Sequence, residues 1–472
     1  NQSISGGGIG FLDDNTGNST VLNIERTTIE GNTSDTAGGV FFENDNGIHT
    51  FTNVTISGNI ASDNSAAATF QDDDNDPGVV PTVKFVNTTI AENEAQTVTN
   101  PVDGISLDYV KIEAVSTIFD KAVDSHSVCA TEVVFDENSL SHGSNISSDA
   151  TCWFLDDISD NINTDPRLAN ITQTPNTNGR MHPISLNSPA LDSGNAVYCA
   201  VNNIIVDGRN GSRPIDGDAD GYATCDIGAY ELNPSIRYVA KTGSDSGNNC
   251  SNNLSPCATI LHAVAQASDG DQINIGSGTY KEGEIAPYGK SLIFNGNGIG
   301  LTVLDGGDTN RVLFVYSGAK QILRNLNIED GYSSSDGGGI YAVGALELEN
   351  VVVQNNIAED DGGGIYTEDD GLSIENSLIT MNVANGGSGG GIFAGGFTHL
   401  ASSTITQNSA RGTNSIGGGI HIQSTSPNNQ FFNVTVSRNN STSSGDGISF
   451  SGAGLTSIVH NTIFENGETN IY

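Results

Sequence analysis

A step of the form Asn-x-Thr-Ile-x-x-Asn recurs every 25 to 34 residues towards both ends of this chain, and no other feature limits its fold as strongly. The apolar position falls at Ile29, Ile56, Ile90 and Ile118, then at Ile328, Val353, Ile379, Ile405, Val436 and Ile463. The matching asparagine falls at Asn32, Asn59 and Asn93, then at Asn356, Asn382, Asn408, Asn439 and Asn466. A repeat of this length is one supersecondary unit that cannot bury its own apolar side. Neighbouring repeats must therefore stack into a continuous core.

A second ladder keeps step with the first. Glycine runs precede a β-branched residue at Gly6 to Ile9, Gly38 to Val40, Gly337 to Ile340, Gly362 to Ile365, Gly389 to Ile392 and Gly417 to Ile420, and alanines stand in at Ala66 to Ala68. Between the ladders apolar and polar residues alternate, as in Leu346-Glu347-Leu348-Glu349, which is the period of half-buried strands. Each repeat is thus expected to hold two or three short strands, with glycine at corners that need positive φ. With only 6% aromatic residues, the core is expected to be thin and built from β-branched, Asn, Ser and Thr stacks.

These ladders resemble those of right-handed parallel β-helix proteins of the pectate-lyase-like group, above all bacterial surface proteins with GGGI and N-x-T-I repeats. The resemblance implies an all-β, right-handed parallel β-helix solenoid. It is weak for activity, because such coils carry lyases, hydrolases and inert stalks alike. The irregular middle of the chain adds to it. Asp165-Pro166-Arg167-Leu168, Ser188-Pro189-Ala190-Leu191, Arg213-Pro214-Ile215-Asp216-Gly217 and Cys225-Asp226-Ile227-Gly228 look like the C-terminal closing segment of the type called choice-of-anchor. Arg237-Tyr238-Val239 through Gly278-Thr279-Tyr280 is similar to the opening segment of the same proteins, with a short plugging helix whose Leu261, Val264 and Ala265 share one face.

The expected organisation is therefore closing rungs at 1–119, a closing segment at 120–232, an opening segment at 233–295 and further rungs at 296–472. That order is circularly permuted. From Thr462-Ile463-Phe464-Glu465-Asn466 to Tyr472, and on from Asn1 to Gly6-Gly7-Gly8-Ile9, the pattern reads as a passage between rungs. A further copy is the expected partner, head to tail, either covalently in a tandem array or by end-to-end stacking, with Asn1, Gly6, Gly7, Gly8, Ile9, Ile463, Phe464, Asn466 and Tyr472 at the interface. Contacts of this kind that do not close on themselves produce filaments. The expected role is an extracellular structural or adhesive surface element. The alternative is a polysaccharide-binding or polysaccharide-cleaving β-helix, which exposed aromatics clustered along one strand face would favour.

Six cysteines fall as local couples, Cys129 with Cys152, Cys199 with Cys225 and Cys250 with Cys257. Disulfides are expected, with metal ligation as the rival reading, and they point to a secreted or cell-surface setting. With 56 acidic and 17 basic residues the net charge is −39, which excludes nucleic acid as a partner, since phosphate binding needs clustered Lys and Arg. No apolar run is long enough to insert in a membrane. One acidic loop is sharper than the rest. Asp216, Asp218 and Asp220 alternate before Tyr222, with Asp226 nearby, and match the first half of a calcium loop without its twelfth-position glutamate.

No catalytic residues are assigned, and the chain is expected not to be an enzyme. Asn163-Thr164-Asp165 resembles one element of the polygalacturonase pattern, but the basic and histidine elements that should follow are not recognisable. Arg209 with Arg213 is the nearest cationic pair. Asp360 and Asp361 are expected to point to opposite faces of a strand. The ladder also creates sequons at Asn18, Asn32, Asn53, Asn87 and Asn433, for which stacked asparagines within a turn are the structural cause.

Overall fold

Residues 372–394 illustrate how one repeat makes one turn of a coil. Leu372–Glu375 forms a first face, Leu378–Thr380 a second, Val383–Ala384 a short corner and Ile392–Ala394 the face that follows the glycines. Each strand pairs in parallel with its equivalents one turn before and after. Ile374 lies between Leu348 and Leu400, Ile379 between Val353 and Ile405, and Ile392 between Ile365 and Ile420. All nine of these side chains are fully buried. The chain bends through left-handed backbone at Asn376 (φ 49°), Met381 (φ 54°) and Gly389 (φ 65°).

The asparagine ladder and the glycine ladder are physically one device. Asn382 accepts from the backbone N–H and the amide of Asn356 (3.0 and 2.9 Å), and donates to Val353 O and Asn408 Oδ1 (both 3.0 Å). Its side chain fills the space beside Gly364, where an added Cβ would lie 2.9 Å from Asn382 Cγ. The same clash recurs between Gly339 and Asn356, and between Gly391 and Asn408. In the four triplets that begin at Gly337, Gly362, Gly389 and Gly417 only the first glycine has positive φ, so the expectation that corner geometry explains the run holds there for one residue in three. The second glycine is needed for close approach, as at Gly390, where a Cβ would stand 2.4 Å from Gly418 O.

This computed structural model describes residues 2–467 apart from 4–6, 13–20, 44–46, 64, 73–79, 97–98, 134–138, 174–179, 369, 424–428 and 453–455. The chain divides into two compact units, Asn1–Asn233 and Pro234–Tyr472. In the first unit the first face has five strands, from Leu22–Glu25 to Leu140–Ser141, and the second face six, from Thr28–Glu30 to Asn161–Ile162. In the second unit the first face runs through nine strands, from Ile236–Val239 to Thr456–Val459. The fold is an all-β parallel solenoid. Among the described residues its two helices are α1 (Ala196–Val201) and α2 (Ile260–Gln266).

Two local expectations are corrected. Helix α2 is capped by Thr259 and buries Ile260, Ala263 and Val264, whereas Leu261 is 38% exposed. Its core face therefore follows the i, i+3, i+4 rule from Ile260 rather than Leu261. The core of the first unit is also not thin. Phe42, Phe51, Phe70, Phe85, Phe119 and Phe154 are buried in one cluster, with Phe42 stacked on Phe70 at 5.4 Å and Phe51 on Phe85 at 5.2 Å. Few aromatics suffice when parallel register places them on one another.

The ladder makes a definite prediction. Asn382→Ala removes both acceptor and donor and leaves the buried Asn356 N–H without its partner, which costs about 1–3 kcal/mol. Urea denaturation should register that loss, and an unchanged midpoint would show that the ladder contributes nothing.

Candidate functional site

Most of the residues singled out by sequence fall in the open turns of the two units and the segment that closes the first unit, while Cys250 and Cys257 lie in the opening segment of the second. In the closing segment the interior is plugged by Phe154 and Leu155, tied in by the Cys129–Cys152 disulfide. The chain then runs back along the bend between the first and second faces. Gly228 N donates to Ser116 O, Ala229 N to Thr89 Oγ1, and Asn53 Nδ2 to Val206 O. At the first full turn Arg26 Nη1 donates to Asn210 Oδ1, Thr28 Oγ1 donates to Arg180 O, and Arg180 pairs with Glu30. The segment expected to act as an end plug is thus also a strap along the unit. It anchors on left-handed residues at successive bends, Arg26, Asn53, Asn87 and Ser116.

The strap's own frame is a buried charge network. Arg213 pairs with Glu231 at 2.7 Å with both side chains fully buried, and its Nη2 donates to Gly228 O and Tyr230 O. Arg209 pairs with Asp207 at 2.6 Å and lies over the Tyr230 ring. The two arginines that form the nearest cationic pair in the sequence are therefore both paired within the strap. Cys199–Cys225 staples the same region, and Cys250–Cys257 the opening segment beside α2, so the three expected couples are all bonded.

Asp216, Asp218 and the unforeseen Asp192 bring carboxylate oxygens within 4.8 Å of one another. Asp220 belongs to the turn itself, its N–H donating to Asp216 and Asp218, and the Tyr222 ring is 77% exposed. Asp226 lies apart from this cluster. It is buried and accepts from the N–H groups of Asp192 and Leu232 (2.7 and 2.5 Å). Burial, then the charge of Glu231, pushes Asp226 well above the usual carboxylate range. Burial, helped by the charges of Asp218 and Asp216, raises Asp192 to about 7.

Asp360 and Asp361 lie in a bend, not a strand, and converge with Asp336. In the Asn-Thr-Asp stretch Asp165 is exposed, and its charge adds to the burial that raises Asp120 to about 6. Sequons at Asn53 and Asn87 are buried beneath the strap.

An outward aromatic column was not anticipated from the sequence. Phe314, Tyr341, Tyr366 and Phe393 stack on the glycine face of the second unit at 5.3, 4.9 and 4.9 Å, with interplanar angles of 5 to 20°. Their alternation with the inward Leu313, Ile340, Ile365 and Ile392 could have revealed it. The ring faces cover one another and Phe393 is itself buried, so only the edges of the other three rings meet solvent.

At the open turns Gly7, Gly8, Ile9, Ile463, Phe464 and Asn466 are described, whereas Asn1, Gly6 and Tyr472 lie outside the described residues. Asn466 accepts from the backbone and amide of Asn439 (both 3.0 Å) and so continues the ladder. Interior-facing residues that are fully covered elsewhere are only half-covered here: Ile9, Phe11 and Leu22 on the first unit, Phe450 and Ile463 on the second.

No family model and no curated protein matches this chain, so the expected kinship with choice-of-anchor surface proteins stays a resemblance. A solved structure, the pectin methylesterase from Aspergillus niger in deglycosylated form, is similar over 49% of this chain and 86% of that one. The identity is 15% and the TM-score 0.26. The expectation that the chain is not an enzyme is corrected here. The similar structure is that of an enzyme, and the exclusion of catalysis does not stand. At that TM-score the likeness transfers no activity.

The Asp192 environment predicts a pH dependence. An unfolded aspartate titrates near about 4, so between roughly pH 4 and 7 the folded chain holds the extra proton and stability falls as pH rises. Asp192→Asn removes that contribution. In chelator-treated protein, the drop in melting temperature from pH 5 to pH 8 should be smaller in the variant than in the parent. An equal drop would mean that Asp192 is already charged when folded.

Proposed function

We propose that this chain is an extracellular structural element, the repeating unit of a surface filament in which copies continue one another's coil head to tail. The observation that carries this reading is the placement of covers. The first unit is open at its first turn and plugged after its last, while the second unit begins with α2 against its core and is open at its last turn. Half-covered apolar residues at those turns, Ile9 and Phe11 on the first unit and Phe450 and Ile463 on the second, are offered to another copy.

Three disulfides, and no helix among the described residues long and apolar enough to cross a membrane, support an extracellular setting. The polysaccharide alternative has less support. A sugar platform needs exposed ring faces, and the outward column spends its faces on itself.

Negative-stain microscopy at physiological salt and at 1 M salt tests the reading, since screening relieves repulsion between strongly acidic copies. Filaments are expected. Ile463→Glu places a charge on the half-covered open turn and should abolish them while circular dichroism stays unchanged. Leu254→Glu, at an 88% exposed position in the opening segment, should leave them intact. Isolated rods under both salt conditions would sink the proposal.

A further inference from the structure

We infer that the second unit carries a binding cleft for the terminal residue of a neutral glycan, formed between the first strands of its first face and the disulfide-closed loop 250–257. The inference is independent of how copies assemble, because every residue that lines the cleft belongs to the one unit. Strand pairing builds the floor. Tyr238, Asn274 and Asn295 form one cross-strand row of the strands Ile236–Val239, Gln272–Ile275 and Leu292–Gly296. The row faces outward, since Ile273 and Ile275 on either side of Asn274 are buried in the core. Gly276 and Gly296 line the cleft too and, having no side chain, leave room there, while Asn253 and Pro256 come from the loop. The cleft encloses about 350 Å3, at the small end of the roughly 300–1,000 Å3 range of ligand sites.

The loop is fixed in place. Cys250–Cys257 closes it, and Asn248 Nδ2 donates to Ser255 O and Pro256 O at 3.0 and 3.1 Å. A preformed wall lowers the ordering cost of binding. The polar groups of the floor are aligned and left over. Along the outside of the coil Asn350 Nδ2 donates to Asn325 Oδ1 (2.7 Å), Asn325 to Asn295 (2.9 Å) and Asn295 to Asn274 (3.3 Å). Gln272 Nε2 also donates to Asn274 Oδ1 (2.6 Å), so this oxygen is engaged twice, whereas Asn274 Nδ2 meets no protein acceptor among the described residues. Asn297 gives its amide to Ser277 Oγ (3.2 Å) and keeps Oδ1 unused, and the Tyr238 hydroxyl has no protein partner among the described residues.

Chemistry selects the ligand. None of the residues lining the cleft is charged, in a chain of net charge −39. Cations at adjoining strand positions are paired elsewhere, Arg237 with Asp271 at 2.9 Å and Arg324 with Glu349 at 2.7 Å. A carboxylate or phosphate would therefore lose its hydration without gaining a counter-charge. A purely apolar ligand would leave the amides unpaired. A neutral sugar offers hydroxyls that both donate and accept, together with a C–H face for an aromatic ring. Tyr238 has that ring available: it stacks on no other ring among the described residues, unlike Tyr341 and Tyr366 in the outward column.

Saturation-transfer NMR on the full chain tests the cleft, with glucose, galactose, mannose and N-acetylglucosamine as neutral probes and galacturonate as the anionic counterpart. At least one neutral probe should receive saturation, and galacturonate none. In a titration with that probe, Asn274→Ala removes the free donor and should raise Kd about tenfold, as the loss of one hydrogen bond does. Tyr238→Ala should abolish binding. Ser373→Ala, outward on the same face but outside the cleft, should bind like the parent. Melting curves matching the parent's establish that the variants are folded. Saturation of no neutral probe, saturation of galacturonate equal to theirs, or binding that survives both cleft substitutions would overturn the inference and leave the filament reading untouched.

Discussion

A buried asparagine that hydrogen-bonds forward and backward along the coil is the constraint from which the rest of this structure follows. At Asn382 one amide closes the backbone of the preceding turn, bonds its own counterpart in the next, and reaches Val353 O. Leucine at that corner would leave buried backbone groups without partners, each at a cost of about 1–3 kcal/mol. Because the amide occupies the inside of the corner, the facing residue cannot carry a Cβ, and the third glycine of each triplet follows. Because it must be presented inward, the preceding residue takes left-handed backbone at Met381, Gln407, Arg438 and Glu465. Two ladders that look independent in sequence are the two halves of one steric and hydrogen-bonding unit.

That coupling explains why the coil was legible and the strap was not. The period, the strand alternation and the parallel stacking all follow from spacing, and Ile379, Asn382 and Ile392 fall where spacing puts them. The strap has no period. It is held by single hydrogen bonds to left-handed residues such as Asn53 and by the buried Arg213–Glu231 pair, and nothing in the sequence around residue 53 announces a partner at residue 206. The helix face failed for a related reason. A seven-residue helix offers two apolar faces of similar quality, and only packing against Ile273 and Ile275 of the strand Gln272–Ile275 selects Ile260, Ala263 and Val264. Asp192 was missed because it stands 24 residues before Asp216 and meets it only through the strap's fold.

Aromatic residues behave differently in the two units, again for reasons of register. Inward positions in the first unit stack Phe42 on Phe70 and so widen the core, while outward positions in the second unit stack Tyr341 on Tyr366 and stiffen a surface. In both cases a parallel solenoid sets like on like at about the strand spacing, which favours face-to-face overlap over an open platform. A ring column outside such a coil is first a strut.

Charge and edge chemistry then divide the work of controlling association. A chain carrying −39 repels its copies over most of the surface, and the repulsion acts over about one Debye length. The last turn is the reverse, an uncharged row of main-chain donors and acceptors with half-covered Ile463 and Phe450 beneath it. Lateral contacts between two such chains would bring acidic loops together without burying anything. An end contact in phase buries the apolar row, satisfies the strand edges and keeps the acidic loops on the outside of the coil. In the proposed filament, repulsion on the flanks and complementarity at the ends would together favour growth along the axis over sideways aggregation.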